Sequence, residues 1–138
     1  MNMLYEVGTF LTTSSTGFDS IGTLRTDVFL TNHPDTTGNC ITLIQYSGPA
    51  ETEVFGVYID QPHLQITTIA STTHSDLGYQ KSLVVQNRLR QVANSYVPTT
   101  TGSWYLKISP IQSAPTWIGK DALGRGQWVQ NFAVQLSY

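Results

Sequence analysis

The spacing of apolar residues changes once, and clearly, between Pro62 and Tyr96. In His63-Leu-Gln-Ile-Thr-Thr-Ile-Ala-Ser-Thr-Thr73, Leu64, Ile66 and Ala70 fall on one side of a period-two strand and Ile69 on the other. From Leu77 the period lengthens: Val85, Leu89, Val92 and Tyr96 step by four, three and four, with Leu77 and Val84 flanking. Ser75-Asp76 offers an N-cap oxygen and a negative charge at the helix start. Arg88 and Arg90 suit its last turns, and Asn94 followed by Pro98 supplies the stop. The pattern predicts a strand of about ten residues feeding a helix of about eighteen, with a sheet packed on that helix.

The flanking segments follow the same logic. Met3, Leu4, Val7, Phe10 and Leu11 mark a short amphipathic helix within Met1 to Thr13, weakened only by Gly8. Phe18 to Phe29 is punctuated by Gly22 and reads as irregular chain or a short strand, and Asn32-His-Pro-Asp-Thr-Thr-Gly38 reads as a turn. Cys40 to Tyr46 carries apolar residues on both faces, which predicts a central strand. Ser47-Gly-Pro-Ala50 ends it. Glu51 to Gln61, with Phe55, Val57, Tyr58 and Ile59, is then a long excursion, either a protruding hairpin or an extended arm.

Beyond the Thr-rich connector Pro98 to Gly102, Trp104, Leu106 and Ile108 alternate with Tyr105 and Lys107. Pro110 and Pro115 bracket a bend, and Trp117-Ile118 resumes the strand. Lys120 to Gly126 is a turn, and Trp128, Phe132, Val134 and Leu136 alternate with Val129, Asn131, Ala133 and Gln135 in a final strand. Strands joined by a short Gly-rich turn pair antiparallel. The expected architecture is α+β: one domain over residues 1–138, with a mostly antiparallel sheet of about four strands packed with two helices.

Composition narrows the function. Only 12% of the 138 residues are charged, about half the usual globular share, with Ser, Thr, Asn and Gln supplying polarity instead. A surface so lightly charged is suited to cover by partners. The net charge of −2 creates no basic field for nucleic acid. A single cysteine, Cys40, points to a reducing compartment of synthesis. The N-terminus lacks the basic start and apolar run of a secretion signal, and no segment reaches the ~18 apolar residues of a membrane span, so a soluble chain is expected.

Candidate chemistry is sparse. His33, His63 and His74 show no metal-ligand spacing among themselves or with Cys40, and the nine acidic residues contain no evident catalytic pair. Ser47 lacks the first glycine of a nucleophile elbow. Gly119-Lys-Asp-Ala-Leu-Gly-Arg-Gly126 has the glycine spacing of a phosphate-binding loop. It has Arg125 in place of the lysine, Gly126 in place of the hydroxyl, and a strand where a helix should follow. A β-turn is the reading it supports. No catalytic, cofactor or metal residue is assigned.

Three patches, in order, resemble a known family. Ile118-Gly-Lys-Asp-Ala-Leu-Gly-Arg125 followed by Asn131-Phe132-Ala-Val134 is similar to the end of the phage tail terminator proteins, some of which are labelled minor capsid or tail completion proteins of long-tailed phages. Asn39 to Pro49 resembles the family's strand ending in a Gly-Pro-like turn, and Pro62-His-Leu-Gln65-Ile66 its Pro-x-x-Gln strand. Thr67 and Thr68 depart from it where such proteins often carry an arginine.

The resemblance implies a non-enzymatic virion protein at the tail-neck junction, made in the host bacterial cytoplasm. It implies a homohexameric ring on the head-proximal end of the tail tube, ending polymerisation and joining the head completion or connector protein. DNA would be met only as it passes through the lumen. Glu51, Glu53, Phe55, Tyr58, Trp117, Lys120, Asp121 and Arg125 are then candidates for subunit or tube contacts, and Arg88 and Arg90 for the lumen. A different neck connector is the nearest alternative. A small ligand- or carbohydrate-binding domain using Trp117 is the alternative from another class.

Overall fold

In a computed structural model, residues 2–14, 20–32, 38–50, 52–70, 76–98 and 102–137 are described. Helix α1 spans Met3–Thr12, with Asn2 as N-cap accepting from the Tyr5 amide at 3.1 Å. Among the described residues nine strands follow, interrupted by one helix. They are β1 (Val28–Leu30), β2 (Cys40–Tyr46), β3 (Thr52–Val54), β4 (Val57–Asp60), β5 (His63–Ala70), β6 (Ala93–Val97), β7 (Ser103–Pro110), β8 (Thr116–Lys120) and β9 (Gly126–Ser137). Helix α2 spans Asp76–Leu89.

The 12-residue strand β9 is the hub of the sheet. Along one edge it pairs with β5 and then β4 in unbroken register, from Ala70↔Gly126 to Ile59↔Ser137. Along the other it pairs with β8 and then β7. Strand β2 lies outside β5, β1 pairs parallel with β2, and β6 closes the far side against β7. Both helices cover one face. Their buried residues Met3, Val7, Leu11, Val85 and Leu89 join Leu43, Leu64, Ile66, Phe132, Val134 and Leu136 in one core.

Polar residues are built into that packing. The Ser82 hydroxyl on α2 lies 2.8 Å from Thr68 Oγ1 and 2.9 Å from the Gly78 carbonyl, and Gln130 Nε2 donates to the Ser82 carbonyl at 2.9 Å. Gly78 lets α2 approach closely, since a Cβ there would stand 2.9 Å from both Ala70 Cβ and Trp128 Cδ1. Glu6 ties α1 to β7. Its carboxylate accepts from the Ser103 amide at 3.0 Å, the Ser103 hydroxyl at 2.7 Å and the Tyr105 hydroxyl at 2.8 Å.

The α+β class holds, but the expected mostly antiparallel sheet of about four strands is corrected to nine strands among the described residues, in a mixed sheet in which β1 and β2 run parallel. The segment read as irregular chain or a short strand contributes β1, the excursion contributes β3 and β4, and Trp117-Ile118, read as a resumption of the preceding strand, forms the separate strand β8. The rest of the difference is a helix that ends early. Val92 to Tyr96 continues the helical spacing, yet α2 stops at Leu89, Asn94 adopts a left-handed φ of 47°, and the chain turns back as β6. Val92 still enters the core, whereas Tyr96 is half exposed and stacks edge-on against Trp104 at 4.9 Å. A register shift between Tyr105 and Lys107 likewise breaks the simple alternation expected of β7, so that Tyr105 and Ile108 are the fully buried side chains there.

Candidate interaction surface

The excursion is a hairpin. Strands β2 and β5 remain paired to Tyr46↔His63, and β3 and β4 continue the same two-stranded ribbon from Thr52↔Ile59 to Val54↔Val57. Between these pairs the first side has five residues (47–51) and the second three (60–62), which kinks the ribbon. Gly48 sits in the kink because nothing larger fits: a Cβ there would lie 1.7 Å from the Gln61 carbonyl oxygen. The ribbon beyond the kink forms an arm extending past the body of the sheet.

A two-residue turn closes the arm, with φ of 50° at Phe55 and 77° at Gly56. Positive φ at both central residues is the type I′ arrangement that matches strand twist. Asn-Gly is the usual solution. Here a bulky aromatic stands in the left-handed position and is completely exposed, at 102%. Val57 and Tyr58 beside it are also exposed, as is Glu53. The arm therefore presents an apolar tip that nothing in its own chain covers. Glu51 lies outside the described residues.

The second cluster is the β8–β9 hairpin. Asp121 organises its turn: Oδ1 accepts from the Leu123 amide at 3.0 Å and the Arg125 amide at 2.9 Å, and Oδ2 accepts from Arg125 Nε at 2.7 Å. Burial pushes the Asp121 carboxyl up, but the Arg125 amide, its guanidinium and the Leu123 amide together outweigh this and hold it below the usual carboxylate range. Asp121 and Arg125, expected as contact residues, thus brace the turn. The surface itself is Trp117, Ile118, Lys120 and Leu123, all exposed. Trp117, 42% exposed, leans edge-on against Trp128 at 5.1 Å, and Trp128 in turn contacts the Tyr79 ring at 5.0 Å.

Arg88, named as a candidate for the lumen, is a buried side chain within its own chain. It is 1% exposed, and its guanidinium reaches the C-terminal end of α1, where Nη2 donates to the carbonyls of Phe10, at 2.7 Å, and Thr13. Those carbonyls have no helical partner, and α1 has no basic residue in its own last turn. Desolvation lowers the Arg88 pKa, and the Phe10 ring, 4.9 Å from its guanidinium carbon, lies against the cation. Arg90, two residues on, is exposed.

Cys40 packs in β2 as a buried free thiol, its pKa raised by burial. Among the described residues no group of three or more His, Cys, Asp or Glu is placed to hold a metal. No described helix is long and apolar enough to cross a membrane. The P-loop-like glycines run from Gly119 in β8 through Gly124 in the turn to Gly126 at the start of β9, and Gly119 and Gly124 have positive φ.

The exposed features of the fold are an apolar-tipped arm and a braced hairpin turn. A family model described as bacteriophage tail terminator protein matches residues 19–138, and the chain belongs to that family. The match includes all three patches on which the resemblance was drawn. No curated protein matches the sequence.

Proposed function

We propose that the chain forms a closed ring, of six copies as the family resemblance implies, on the head-proximal end of the phage tail tube. There it stops tube polymerisation and offers a joining surface to the head completion or connector protein. A ring is one heterologous contact repeated until rotation closes, and a tube of subunits is the same kind of contact continued without closure. The observation that carries the reading is the arm. A family member with a fully exposed Phe55 at the end of a two-stranded ribbon has a projecting group that needs a partner.

In this reading Glu53, Phe55 and Tyr58 on the arm, with Glu51 next to it in sequence, make subunit or tube contacts. Trp117 and Lys120 do so on the β8–β9 hairpin, with Asp121 and Arg125 holding that hairpin in shape. Arg90 faces the lumen through which DNA passes. The protein works without catalysis, as a virion part made in the host cytoplasm.

The test is tube growth. Purified tail tube protein polymerising in the presence of the chain should give tubes that stop elongating at one end, each capped by a ring visible in negative stain. Tubes of unchanged growth, with the chain bound instead to portal or adaptor rings, would place it in another neck layer.

A further inference from the structure

The ribbon that ends in Phe55 has a cleft at its other end. Cys40 and Ile41 at the start of β2, and Ile69 and Ala70 at the end of β5, line a cavity of about 190 Å³ together with Leu77 on α2 and Ile21, with Asp27, Thr68 and Lys81 as its polar members. Its lining is mainly apolar, and Leu77 is half exposed there. A cavity of about 150 Å³ lined by apolar side chains takes up benzene, so this one has room for a phenyl ring.

Tip and cleft belong to the same ribbon and lie at its opposite ends. Fourteen positions of strand and kink separate Cys40 from Val54, on the order of 40 Å at a strand's rise. No protomer can bring its own Phe55 to its own cleft. A group and its receptor at opposite ends of a rigid element generate a head-to-tail contact between copies.

Two further observations favour that occupant. Phe55 is costly where it stands, since left-handed backbone disfavours a bulky side chain and full exposure leaves its ring in water. Insertion into an apolar cleft offsets the second of these costs. Charge adds a second contact. Glu53 is exposed close to the tip, and the cleft carries Lys81, whose ammonium donates to the Ile21 carbonyl at 2.6 Å, beside Asp27, whose Oδ1 accepts from the Thr23 amide; Lys81 is the cation there that a tip carboxylate can meet.

We propose that Phe55 of one copy seats in the Ile21–Cys40–Ile69–Leu77 cleft of the next, and that this finger-and-cleft contact is the one that closes the ring. The inference rests on the ring reading above and specifies its interface.

Two variants separate the halves of the contact. Phe55→Asn removes the ring and places the residue that type I′ turns prefer, so the arm keeps its fold. Leu77→Glu puts a carboxylate in the cleft, on the first turn of α2 where the helix dipole favours it. Light scattering and sedimentation, with circular dichroism to confirm folding, should show each variant alone weakened in self-association by about tenfold or more.

Mixed in equal amounts, the two should form a 1:1 pair that grows no further. Leu77→Glu keeps an intact finger, and Phe55→Asn keeps an intact cleft. Wild-type rings with unaffected Phe55→Asn rings would overturn the finger-and-cleft contact while leaving the ring standing. Phe55→Asn rings that fail only to cap tubes would assign the arm to the tube protein, against the proposal. A wild-type chain that stays monomeric to millimolar concentration, both alone and with tail tube added, counts against both the ring and its interface.

Discussion

Arg88 and Phe10 are joined twice: Nη2 of the arginine donates to the Phe10 carbonyl at 2.7 Å, and its guanidinium carbon lies 4.9 Å from the centroid of the Phe10 ring. Through this pair a residue of α2 completes the end of α1, the helix that lacks a C-terminal cation of its own. Replacing Arg88 by Met should leave the part-buried carbonyls of Phe10 and Thr13 without their donor, at a cost of about 1–3 kcal/mol. Arg88→Lys, a point charge unable to span both carbonyls as a planar fork does, should cost less than Met but more than a surface change. Urea unfolding of the two variants tests the order. A stability equal to wild type for Arg88→Met would contradict the role.

The Glu6–Tyr105 bond makes a prediction in alkali. Burial, the hydrogen bond to Glu6 and the Glu6 charge, in that order, keep the Tyr105 phenol neutral far above its ordinary value of 10.0. The unfolded chain loses this proton near pH 10 while the folded chain keeps it. Stability is therefore full below that pH and falls as pH rises beyond it, by about 1.4 kcal/mol per pH unit from this group alone. The raised pKa values of Cys40 and Tyr46, both from burial, act in the same direction, with Cys40 entering from about pH 9. Tyr105→Phe should be less stable than wild type at pH 7 by about 1–3 kcal/mol and should show a flatter decline above pH 10. Parallel slopes in the two proteins would remove Tyr105 as the cause.

Acid should act on the other hairpin. The Asp121 carboxyl is held below its usual 3.8, so the bonds it accepts from Leu123 and Arg125 are fully present above that value and lost as pH falls through the lowered one. Asp121→Asn should weaken the protection of the Leu123 and Arg125 amides against hydrogen exchange at neutral pH, leaving the β5–β9 amides protected. Unchanged protection would show that the turn stands without the carboxylate.

Gly48 should be the least replaceable residue of the arm. Its Cβ position lies 1.7 Å from a backbone oxygen, which no rotamer change relieves. Gly48→Ala must move the kink, so it should lower the melting temperature and disturb assembly together, more than Gly56→Asn at the open turn, where a Cβ meets nothing within 4 Å and Asn tolerates the left-handed backbone.

Much of the sheet could be read from alternation alone. His63–Ala70 and the final strand are where their period placed them, because a slip of one residue would expose the core face, and Cys40–Tyr46 is where its apolar residues on both faces placed it, between β1 and β5 and buried from Cys40 to Leu43. The N-terminal helix was equally readable, and the family was recognisable from short patches around Gly48, Gln65 and the last turn. The edge strands were not. Thr52–Val54 and Val57–Asp60 are short and carry little burial signal, and Phe-Gly in place of Asn-Gly disguises their turn. The end of α2 was hidden for the opposite reason: Val92 and Tyr96 keep helical spacing by coincidence, and only the reversal at Asn94 separates them.

Among the site residues, charge alone misled. Arg88 and Arg125 look like surface cations in the sequence, and each is buried in the service of a backbone segment distant from it or just before it. Tertiary placement decides that, and no local pattern encodes it. Phe55 stood with Val57, Tyr58 and Ile59 among the apolar residues of the excursion, and the structure singles it out by its complete exposure.

The central claim is that this tail terminator acts as a ring, and mass measured across concentration tests it most directly. Light scattering after size exclusion should find a closed species near six times 15.3 kDa, or a monomer that converts to one when purified tail tube is added. A chain that remains monomeric both alone and with tail tube present, and leaves tube length unchanged, would contradict the account.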